Sequence, residues 1–451
     1  MAEKLKASVI NLFCIGEMGF SIMMAVAVNY YAYFLTDVAR IGAATVGTIL
    51  LIARIADAVS VPIVGGLIEK SNMKWGKYRS WILICPFSTA ILFILMFTNL
   101  NMTVGAKAIF LGTAYVLAHV SVNFAWSAYV ALIPVLANDP VDRVRLSSRR
   151  AQTTSIAQII FGLIAMPLII ALGAGNEAKG FLLTIIIFTI LQVLGYRLVA
   201  HIIKPFDAGP RPESKKETIT LKDMLIQVFT NPPLLVLMLV ESLRFTSRWA
   251  LLGFAVYYFK YVARNMLLVS AFFPIVNIAG LLGAIFGELI ARKIPKKTTY
   301  IIGVATETIC LLLAWLFARD AITFIVLCAI ATFGVYIDQS IQAALFADTV
   351  EYAEWKTGKN ARALIMAMSA LPIKIGVALA GAVNGFALAA IGYVANVQPT
   401  AELSRGISTI ATFVPGIFGA LALVTVLFYP LKEERVNQIR IEIQARRSPT
   451  F

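Results

Sequence analysis

The sequence predicts an all-α membrane protein with twelve transmembrane helices. Three observations predict this class: the composition, a series of long apolar segments, and basic residues that concentrate in alternate loops. Hydrophobic residues form 59% of the chain and charged residues 14%, with a mean hydropathy of +0.83. Soluble domains are about 45–50% apolar and about 25% charged, so this chain of 451 residues has no room for a large soluble domain.

The apolar segments are long enough to cross the hydrocarbon core of a bilayer as helices, which takes about 20 residues each. Helices are the element expected there, because a bilayer offers no water to satisfy an open backbone. The predicted spans, in chain order, are Ser8–Leu35, Ala44–Ile68, Trp81–Phe97, Ala108–Leu136, Ala151–Leu172, Phe181–His201, Pro233–Phe259, Leu267–Ala291, Tyr300–Phe317, Ala321–Ala347, Ala363–Ile391 and Ser408–Tyr429.

Basic residues mark every second loop. The basic segments are Lys4 with Lys6, Lys70–Arg79, Arg143–Arg150, Lys204–Lys222, Arg292–Lys297, Lys356–Arg362 and Lys432–Arg447. The loops between them carry about one basic residue each, which is the positive-inside pattern of a protein with both termini in the cytoplasm. Orientation in the cell (inner) membrane therefore explains the net charge of +15, and no nucleic-acid partner is predicted.

The spans divide into two groups of six. The predicted domains are an N-terminal bundle (residues 1–201), a polar cytoplasmic middle loop (202–231), a C-terminal bundle (232–430) and a cytoplasmic tail (431–451). Two motifs recur at corresponding places: GGLIEKSNMKWGKYRSW resembles GELIARKIPKKTTYI, and ALIPVLANDPVD resembles ALFADTVEYAE. This repeat predicts pseudo-symmetric bundles with a substrate site at the midplane between them.

Catalytic and metal-binding chemistry is disfavoured by the residue content. Only two histidines are present, His119 and His201. The four cysteines lie inside apolar segments without ligand spacing: Cys14, Cys85, Cys310 and Cys328. Since metal sites need clustered nitrogen and sulfur ligands, no metal or cofactor is predicted. A nucleophile with its base is not evident either, so an enzyme is not expected.

A long run in the N-terminal half resembles a known transporter family. The run is VGTILLIARIADAVSVPIVGGLIEKSNMKWGKYRSWIL (Val46–Leu83), and three stretches agree with it: IGEMG (Ile15–Gly19), IPVLANDPVDRVRLSSRR (Ile133–Arg150) and ADTVEYAEWKTGKNARALI (Ala347–Ile365). Over nearly the whole chain they resemble the glycoside–pentoside–hexuronide:cation symporters, the melibiose permease family of the major facilitator superfamily. The resemblance implies the major facilitator fold and sugar transport with Na⁺, Li⁺ or H⁺.

The resemblance also implies a cation-coupling site on the first two helices, with Glu17, Ser21 and Asp57 as candidates. The family's second helix carries two carboxylates one turn apart; this chain keeps Asp57 and has Val61 at the other position. Ser21 stands where an Asp or Asn is usual. Hard cations prefer several oxygen ligands, whereas a single buried carboxylate suits a proton. H⁺ is therefore predicted rather than Na⁺, unless Asp57 is only a structural partner of Arg54.

The implied sugar site departs from the family pattern as well. The family's helix-four acid, which binds sugar hydroxyls, matches Trp126, which can stack on a ring but cannot accept hydroxyl hydrogen bonds. Lys374 matches the family's helix-eleven lysine, and either Arg149 or Arg150 stands near its helix-five arginine. Trp126 and Tyr129 are either substrate contacts or core aromatics.

The seventh span carries an unusual set of charges. Ionisable groups inside a membrane are costly and usually mark a pathway. Glu241, Arg244 and Arg248 lie on one helical face, with Arg244 about 11 residues, or roughly 16 Å, into the span. They form either an internal salt bridge or a cationic lining that binds an acid group through the planar guanidinium. Asp338 of the tenth span either lines the same cavity or pairs with the lysine of the eleventh.

Charged residues beside the basic loops are candidates for a cytoplasmic gate. They are Asp142, Arg143, Asp348 and Glu351. Ion pairs that break and reform with each transport cycle would adjust the balance of inward and outward states. Glu307, in the ninth span, is predicted to be a packing or pairing residue.

These residues predict a secondary transporter that moves a small anionic solute, such as a hexuronide, another acidic sugar or an organic acid, by proton-coupled alternating access. The acid group would bind Arg244, Arg248, Lys374 or the Arg149/Arg150 pair, with a ring against Trp126. The nearest alternative is a symporter of a neutral glycoside, followed by a transporter-like sensor or a polytopic enzyme. The predicted partners are a small-molecule substrate and the lipid bilayer, and the predicted state is a monomer.

Overall fold

The computed structural model describes residues 6–71, 73–136, 140–207, 229–358, 365–366, 368–398 and 400–447. Within these ranges the chain contains helices and loops and no strand. The spans are Ala7–Gly16 with Met18–Tyr33 and Phe34–Val38, Ala43–Lys70, Arg79–Met96, Val104–Ala131, Pro140–Gly173, Glu177–Ile202, Pro232–Tyr257 with Tyr258–Val262, Leu268–Ala291, Lys296–Phe317, Ala321–Thr357, Leu371–Ala390 and Ala401–Leu427. Shorter helices cover Ile133–Leu136 and Glu433–Arg447. The predicted all-α class with twelve spans is confirmed.

Eleven of the spans in the described ranges are long and apolar enough to cross a membrane. The seventh, Pro232–Tyr257, carries three charged residues in its apolar run, Glu241, Arg244 and Arg248. Its length still matches the others, at 26 residues. The position of both termini in the cytoplasm stays a prediction from the loop charges.

Short polar residues begin several spans by accepting hydrogen bonds from the first turn. Asn176 Oδ1 accepts from the Lys179 amide at 3.1 Å, and Asp320 Oδ1 accepts from the amides of Ile322 and Thr323, each at 2.9 Å. Such caps satisfy backbone donors that the helix itself leaves without partners. Hydrogen bonds from the amide and hydroxyl of Thr323 and from the amide of Ile322 hold the pKa of the exposed Asp320 carboxyl below its ordinary value.

The ninth span begins earlier than predicted. It starts at Lys296, directly after Pro295, rather than at Tyr300. The helix thus includes both lysines, and Lys297 Nζ donates to the carbonyl oxygens of Leu427 and Tyr429 at 3.2 and 2.7 Å. Counted from the start of the helix, every later residue of this span therefore lies four positions further along than the sequence suggested.

The chain forms two compact units. Unit 1 comprises Met1–Ser214, Asn265–Pro274 and Asn384–Pro399, and unit 2 comprises Lys215–Arg264, Ile275–Val383 and Thr400–Phe451. The middle of the predicted loop, 208–228, lies outside the described residues, so the proposed domain boundaries stay predictions.

Aromatic side chains fill the core of unit 1. Tyr31 stacks on Tyr115 with ring centroids 4.6 Å apart, and Phe97 contacts both Phe34 and Phe181. The first and sixth spans also meet backbone to backbone, because a Cβ added at Gly19 would lie 2.5 Å from the carbonyl carbon of Leu191. Small residues commonly allow this close approach between membrane helices.

The core of unit 2 joins four spans and the tail helix. Leu237, Tyr300, Phe346, Val426 and Ile439 belong to one buried hydrophobic cluster. The ninth and tenth spans approach through two glycines: a Cβ at position 303 would lie 2.8 Å from the Cβ of Asp338, and one at position 334 would lie 2.9 Å from the Glu307 amide nitrogen. This contact brings the acids of the two spans together.

Candidate functional site

In unit 1, Asp57 is buried and accepts a hydrogen bond from a side-chain amide. Its carboxylate is 8% exposed and accepts a 2.7 Å bond at Oδ1 from Asn123 Nδ2. The same amide nitrogen donates to Ser60 Oγ at 2.8 Å, and that hydroxyl donates to the Asp57 carbonyl oxygen at 2.8 Å. The Arg54 guanidinium donates to Tyr115 Oη at 2.8 Å.

The group beside the Asp57 carboxylate is a hydrogen-bond donor, the Asn123 amide nitrogen, whereas a metal cation would need further oxygen ligands there. The Asn123 amide nitrogen points at both Asp57 Oδ1 and Ser60 Oγ, and a hard cation needs such oxygens as ligands. Ser21 is buried, at 7% exposed. No group of three His, Cys, Asp or Glu within the described ranges could hold a metal ion. Sequence reasoning missed Asn123, which lies one turn before Trp126.

Glu17, a predicted cation-coupling residue, is clamped by an arginine. Arg150 donates to Glu17 through Nε at 2.8 Å and through Nη2 at 3.1 Å. Its guanidinium lies 4.5 Å from the ring centroid of Trp126 and 5.4 Å from that of Tyr129. The structure therefore brings Glu17, a predicted coupling residue, together with three predicted substrate residues. These are Arg150, Trp126 and Tyr129.

The structure also separates the two arginines that sequence reasoning left in alternative registers. Arg150 faces Glu17, whereas Arg149 is exposed and donates to Gln152 at 3.1 Å. Trp126 is partly buried and stacks on Phe20 at 5.3 Å. Tyr129 is fully enclosed, so its geometry favours a packing role, and its contact with substrate stays a prediction.

A second polar cluster, missed by sequence reasoning, lies at the end of the first span. Asp37, at 3% exposed, accepts from Tyr393 Oη at 2.6 Å and from Thr36 Oγ1 at 2.7 Å. Asn396 donates to the Asp37 carbonyl oxygen at 2.6 Å. The predicted span ended at Leu35, which placed Asp37 in a loop.

In unit 2, Arg244 is enclosed between two carboxylates. Its Nη1 donates to Glu241 Oε2 at 2.7 Å and its Nη2 donates to Asp338 Oδ1. Tyr300 Oη donates to the other oxygen of Glu241 at 2.5 Å. Arg244 is 2% exposed and both acids are 0% exposed. The geometry favours the internal salt bridge for Arg244 and Asp338, and their roles in substrate binding stay predictions.

Arg248, one turn further along, has a different environment. Its guanidinium donates to Tyr336 Oη at 2.7 Å and to Gln339 Oε1 at 3.5 Å, and lies 4.6 Å from the Tyr336 ring centroid. It makes no ion pair with any described residue, and its Nε has no hydrogen-bond partner there. The side chain is partly buried. Arg248 is thus a fixed cation among neutral groups.

Lys374 lies on the helix that packs against this segment. It is partly buried, and a Cβ added two residues later, at Gly376, would overlap Phe245 of the seventh span. The seventh and eleventh spans therefore meet near Arg248 and Lys374.

Glu307 is the principal residue that sequence reasoning undervalued. It is 1% exposed and accepts a 2.7 Å bond from Ser247 Oγ at Oε1, while its Oε2 has no partner among the described residues. From the observed helix start, Glu307 lies about 11 residues, or roughly 16 Å, into the span. The predicted start at Tyr300 made it look too shallow to matter.

The candidate gate acids form bridges inside their own units. Asp142 binds Arg145 at 2.9 Å. Asp348 binds Lys296 at 2.5 Å, and Glu351 binds Arg440 of the tail helix at 2.7 Å. The side chain of Arg143 lies outside the described residues. A gating role stays a prediction for all four candidates.

Comparisons with known proteins agree with this architecture. The family model described as MFS/sugar transport protein matches residues 12–433. The isoprimeverose transporter of Lactiplantibacillus pentosus is 29% identical over 409 residues, which cover 89% of this chain and 84% of that protein. The glucuronide carrier protein homolog of Escherichia coli (strain K12) is 27% identical over 457 residues, covering 99% and 97%.

A solved structure shares the fold. A bacterial homolog of the human lysosomal transporter Spinster has a TM-score of 0.69 at 13% identity, covering 96% of this chain and 100% of that one. This likeness concerns the fold alone. The curated relatives and the structural neighbour are transporters and not enzymes, which confirms the predicted class. With the family model matching most of the chain, the protein belongs to the MFS/sugar transport family and is a multi-pass secondary transporter of the inner membrane.

Proposed function

We propose that this transporter carries a small organic anion, such as a hexuronide or another acidic sugar, by proton-coupled alternating access. The observation that carries the proposal is Arg248, a partly buried cation with only neutral hydrogen-bond partners among the described residues. A charge inside a membrane protein is costly without an opposite charge. A substrate carboxylate supplies that charge.

The fit is also geometric. The guanidinium of arginine offers a planar fork that matches the two oxygens of a carboxylate or sulfonate. Tyr336 and Gln339 hold the group from one side, and its Nε lacks a partner within the described ranges. Lys374 adds a second cation on the neighbouring span. Arg244 then acts as a positioning residue, because two carboxylates already enclose it.

In unit 1, Trp126 is the proposed platform for a sugar ring. It is partly buried, and the Arg150 guanidinium lies 4.5 Å from its ring centroid. Because Glu17 neutralises Arg150, this pair positions the indole ring of Trp126. The exposed Arg149 adds positive charge at longer range. Similarity to the glucuronide carrier protein homolog supports an acidic sugar.

For coupling, we propose the proton rather than Na⁺. The support is the single carboxylate of Asp57, whose site is filled by the Asn123 amide rather than by further oxygen ligands. We also propose a monomer in the bilayer, with no nucleic-acid partner. A mass measurement on the detergent-solubilised protein tests the oligomeric state, and a dimer would contradict it.

Counterflow in proteoliposomes tests the substrate class. We expect the wild type to exchange methyl β-D-glucuronide at least tenfold faster than the matched neutral glucoside. In Arg248→Gln the glucuronide exchange should fall about 10- to 100-fold, since hydrogen bonds to a charged group contribute about 1.5–3 kcal/mol. Arg405→Gln, at an exposed arginine of the twelfth span, is the control and should be unchanged.

A neutral glycoside is the second candidate, favoured by similarity to the isoprimeverose transporter. The same experiment separates the two candidates. Equal exchange of glucoside and glucuronide by the wild type would reject selection for an anion and favour the neutral substrate. Full glucuronide exchange by Arg248→Gln would reject Arg248 as the group that binds the anion.

A further inference from the structure

We propose that Glu307 is a proton-binding site, and that its proton is retained when an anion occupies Arg248 and released when the anion leaves. The link to an anion rests on the proposed function, whereas proton binding by Glu307 rests on the geometry alone. This site lies in unit 2, apart from the Asp57 site that the family resemblance indicates.

The local contacts favour a neutral carboxyl at Glu307. The side chain is 1% exposed, its only hydrogen-bond donor among the described residues is Ser247 Oγ at 2.7 Å, and its Oε2 has no partner there. An ionised carboxylate accepts at both oxygens and needs several donors or a cation when buried. A protonated carboxyl can be buried with fewer hydrogen-bond partners, because it carries no net charge and only its polar bonds are left unsatisfied.

The charge balance of the cluster leads to the same conclusion. Three acids, Glu241, Asp338 and Glu307, are at most 1% exposed, and one enclosed guanidinium, Arg244, stands among them. Arg244 Nη1 already donates to Glu241 and Arg244 Nη2 already donates to Asp338. If all three acids were ionised, an excess of negative charge would be buried, which proteins avoid by binding protons.

The spans that pack around Glu307 carry few charged groups near it. The seventh span contributes Glu241, Arg244 and Arg248, and the tenth contributes Asp338. The ninth span itself contributes Tyr300, which bonds to Glu241. The twelfth span packs here through Gly419 on Thr308, and its charged residues, Glu402 and Arg405, lie at its far start. Of the two arginines beside Glu307, Arg244 is enclosed by carboxylates and Arg248 is not.

Arg248 connects the proton to the substrate. It follows Ser247 in the chain and acts electrostatically on Glu307. With no anion present, the positive charge of Arg248 favours the ionised carboxylate, so in a larger share of the molecules the O–H bond of Glu307 breaks and the proton passes to water. A bound anion cancels that charge, so an O–H bond formed with a proton from water persists. Proton and anion then travel together.

Infrared spectroscopy of the purified protein tests proton binding by Glu307, first without substrate and then with it. At neutral pH, where solvent-exposed carboxyls are ionised, we expect the carbonyl band of a protonated carboxylic acid in the wild type, and saturating methyl β-D-glucuronide should strengthen it. The band should be lost in Glu307→Gln and kept in Asp57→Asn. Ser247→Ala provides a second variant: the band should move to higher frequency, because the Glu307 carbonyl loses its donor. A wild type without the band, or an unchanged band in a folded Glu307→Gln, overturns the proposal.

Transport measurements test the coupling. In Glu307→Gln, uptake of methyl β-D-glucuronide driven by a pH gradient should be lost, while counterflow should stay within about threefold of the wild type. Gradient-driven uptake that survives in Glu307→Gln overturns the coupling role. Failure of the wild type to exchange the glucuronide would instead reject the proposed substrate, and the infrared result would still decide whether Glu307 binds a proton.

Discussion

The two units hold their buried acids in different ways. In unit 1, Glu17 is matched by Arg150, and Asp57 accepts from an amide at 8% exposure. In unit 2, one enclosed arginine stands among three acids that are at most 1% exposed. An acid that is matched by a cation, as Glu17 is, can stay ionised, whereas an excess of enclosed acids is relieved by a proton. The comparison indicates that unit 1 gives Glu17 a cation of its own, whereas unit 2 leaves Glu307 with a hydroxyl donor alone among the described residues.

The largest effect is expected from removing the enclosed cation of unit 2. Arg244→Ala leaves Glu241 and Asp338 buried without their shared partner, so the free energy of unfolding should fall by about 3–5 kcal/mol. Thermal unfolding in detergent measures this change. Adding Glu241→Gln and Asp338→Asn to Arg244→Ala should restore part of the loss, since it removes the buried charges.

The matched change in unit 1 is Arg150→Ala, which leaves Glu17 alone. Arg150 has a side chain 21% exposed, against 2% for Arg244, so water can partly replace it and the loss should be smaller. Equal losses in the two variants would contradict the proposed difference between the units.

An intermediate effect is expected at the Asp57 site. Asn123→Ala removes the amide that donates to Asp57 and Ser60, so the free energy of unfolding should fall by about 1.5–3 kcal/mol, the range for hydrogen bonds to charged groups. Chemical denaturation measures it. Asn123→Ala in an Asp57→Asn background should cost less, because no charge then depends on the amide; an equal cost would mean that Asn123 acts through packing.

The smallest effect is expected where an ion pair faces water. Arg440 of the tail helix binds Glu351 at 2.7 Å, with side chains 47% and 20% exposed, and this contact raises the pKa of the guanidinium. Exposed pairs contribute about 0.2–1 kcal/mol, so Arg440→Gln should change the midpoint of unfolding only slightly. Its remaining effect should decrease at high salt. A loss as large as that of Arg244→Ala would show that the tail helix depends on this pair.

The sequence predicted the helices better than the contacts of the charged residues. Apolar length and loop charge are local properties, so each span could be located, although the fifth begins at Pro140 rather than Ala151 and the tenth ends at Thr357 rather than Ala347. Misplaced ends still had consequences: the start at Tyr300 hid the depth of Glu307, and the end at Leu35 left Asp37 in a loop. The spacing predicted that Glu241, Arg244 and Arg248 share one helical face. Spacing within one helix cannot show which acid on another span contacts which arginine.

By itself, the sequence determined the membrane class, the number of spans and the family, because hydrophobic length and long motif matches do not depend on the partner of each side chain. The tertiary structure decided that Arg244 is enclosed, that Arg248 keeps neutral partners and that Glu307 is buried with one hydroxyl donor. The physical reason is the close packing of the ninth and tenth spans at Gly303 and Gly334. Backbones in contact leave no room for water, and each buried charge must then be balanced by a neighbouring side chain, a proton or a bound anion.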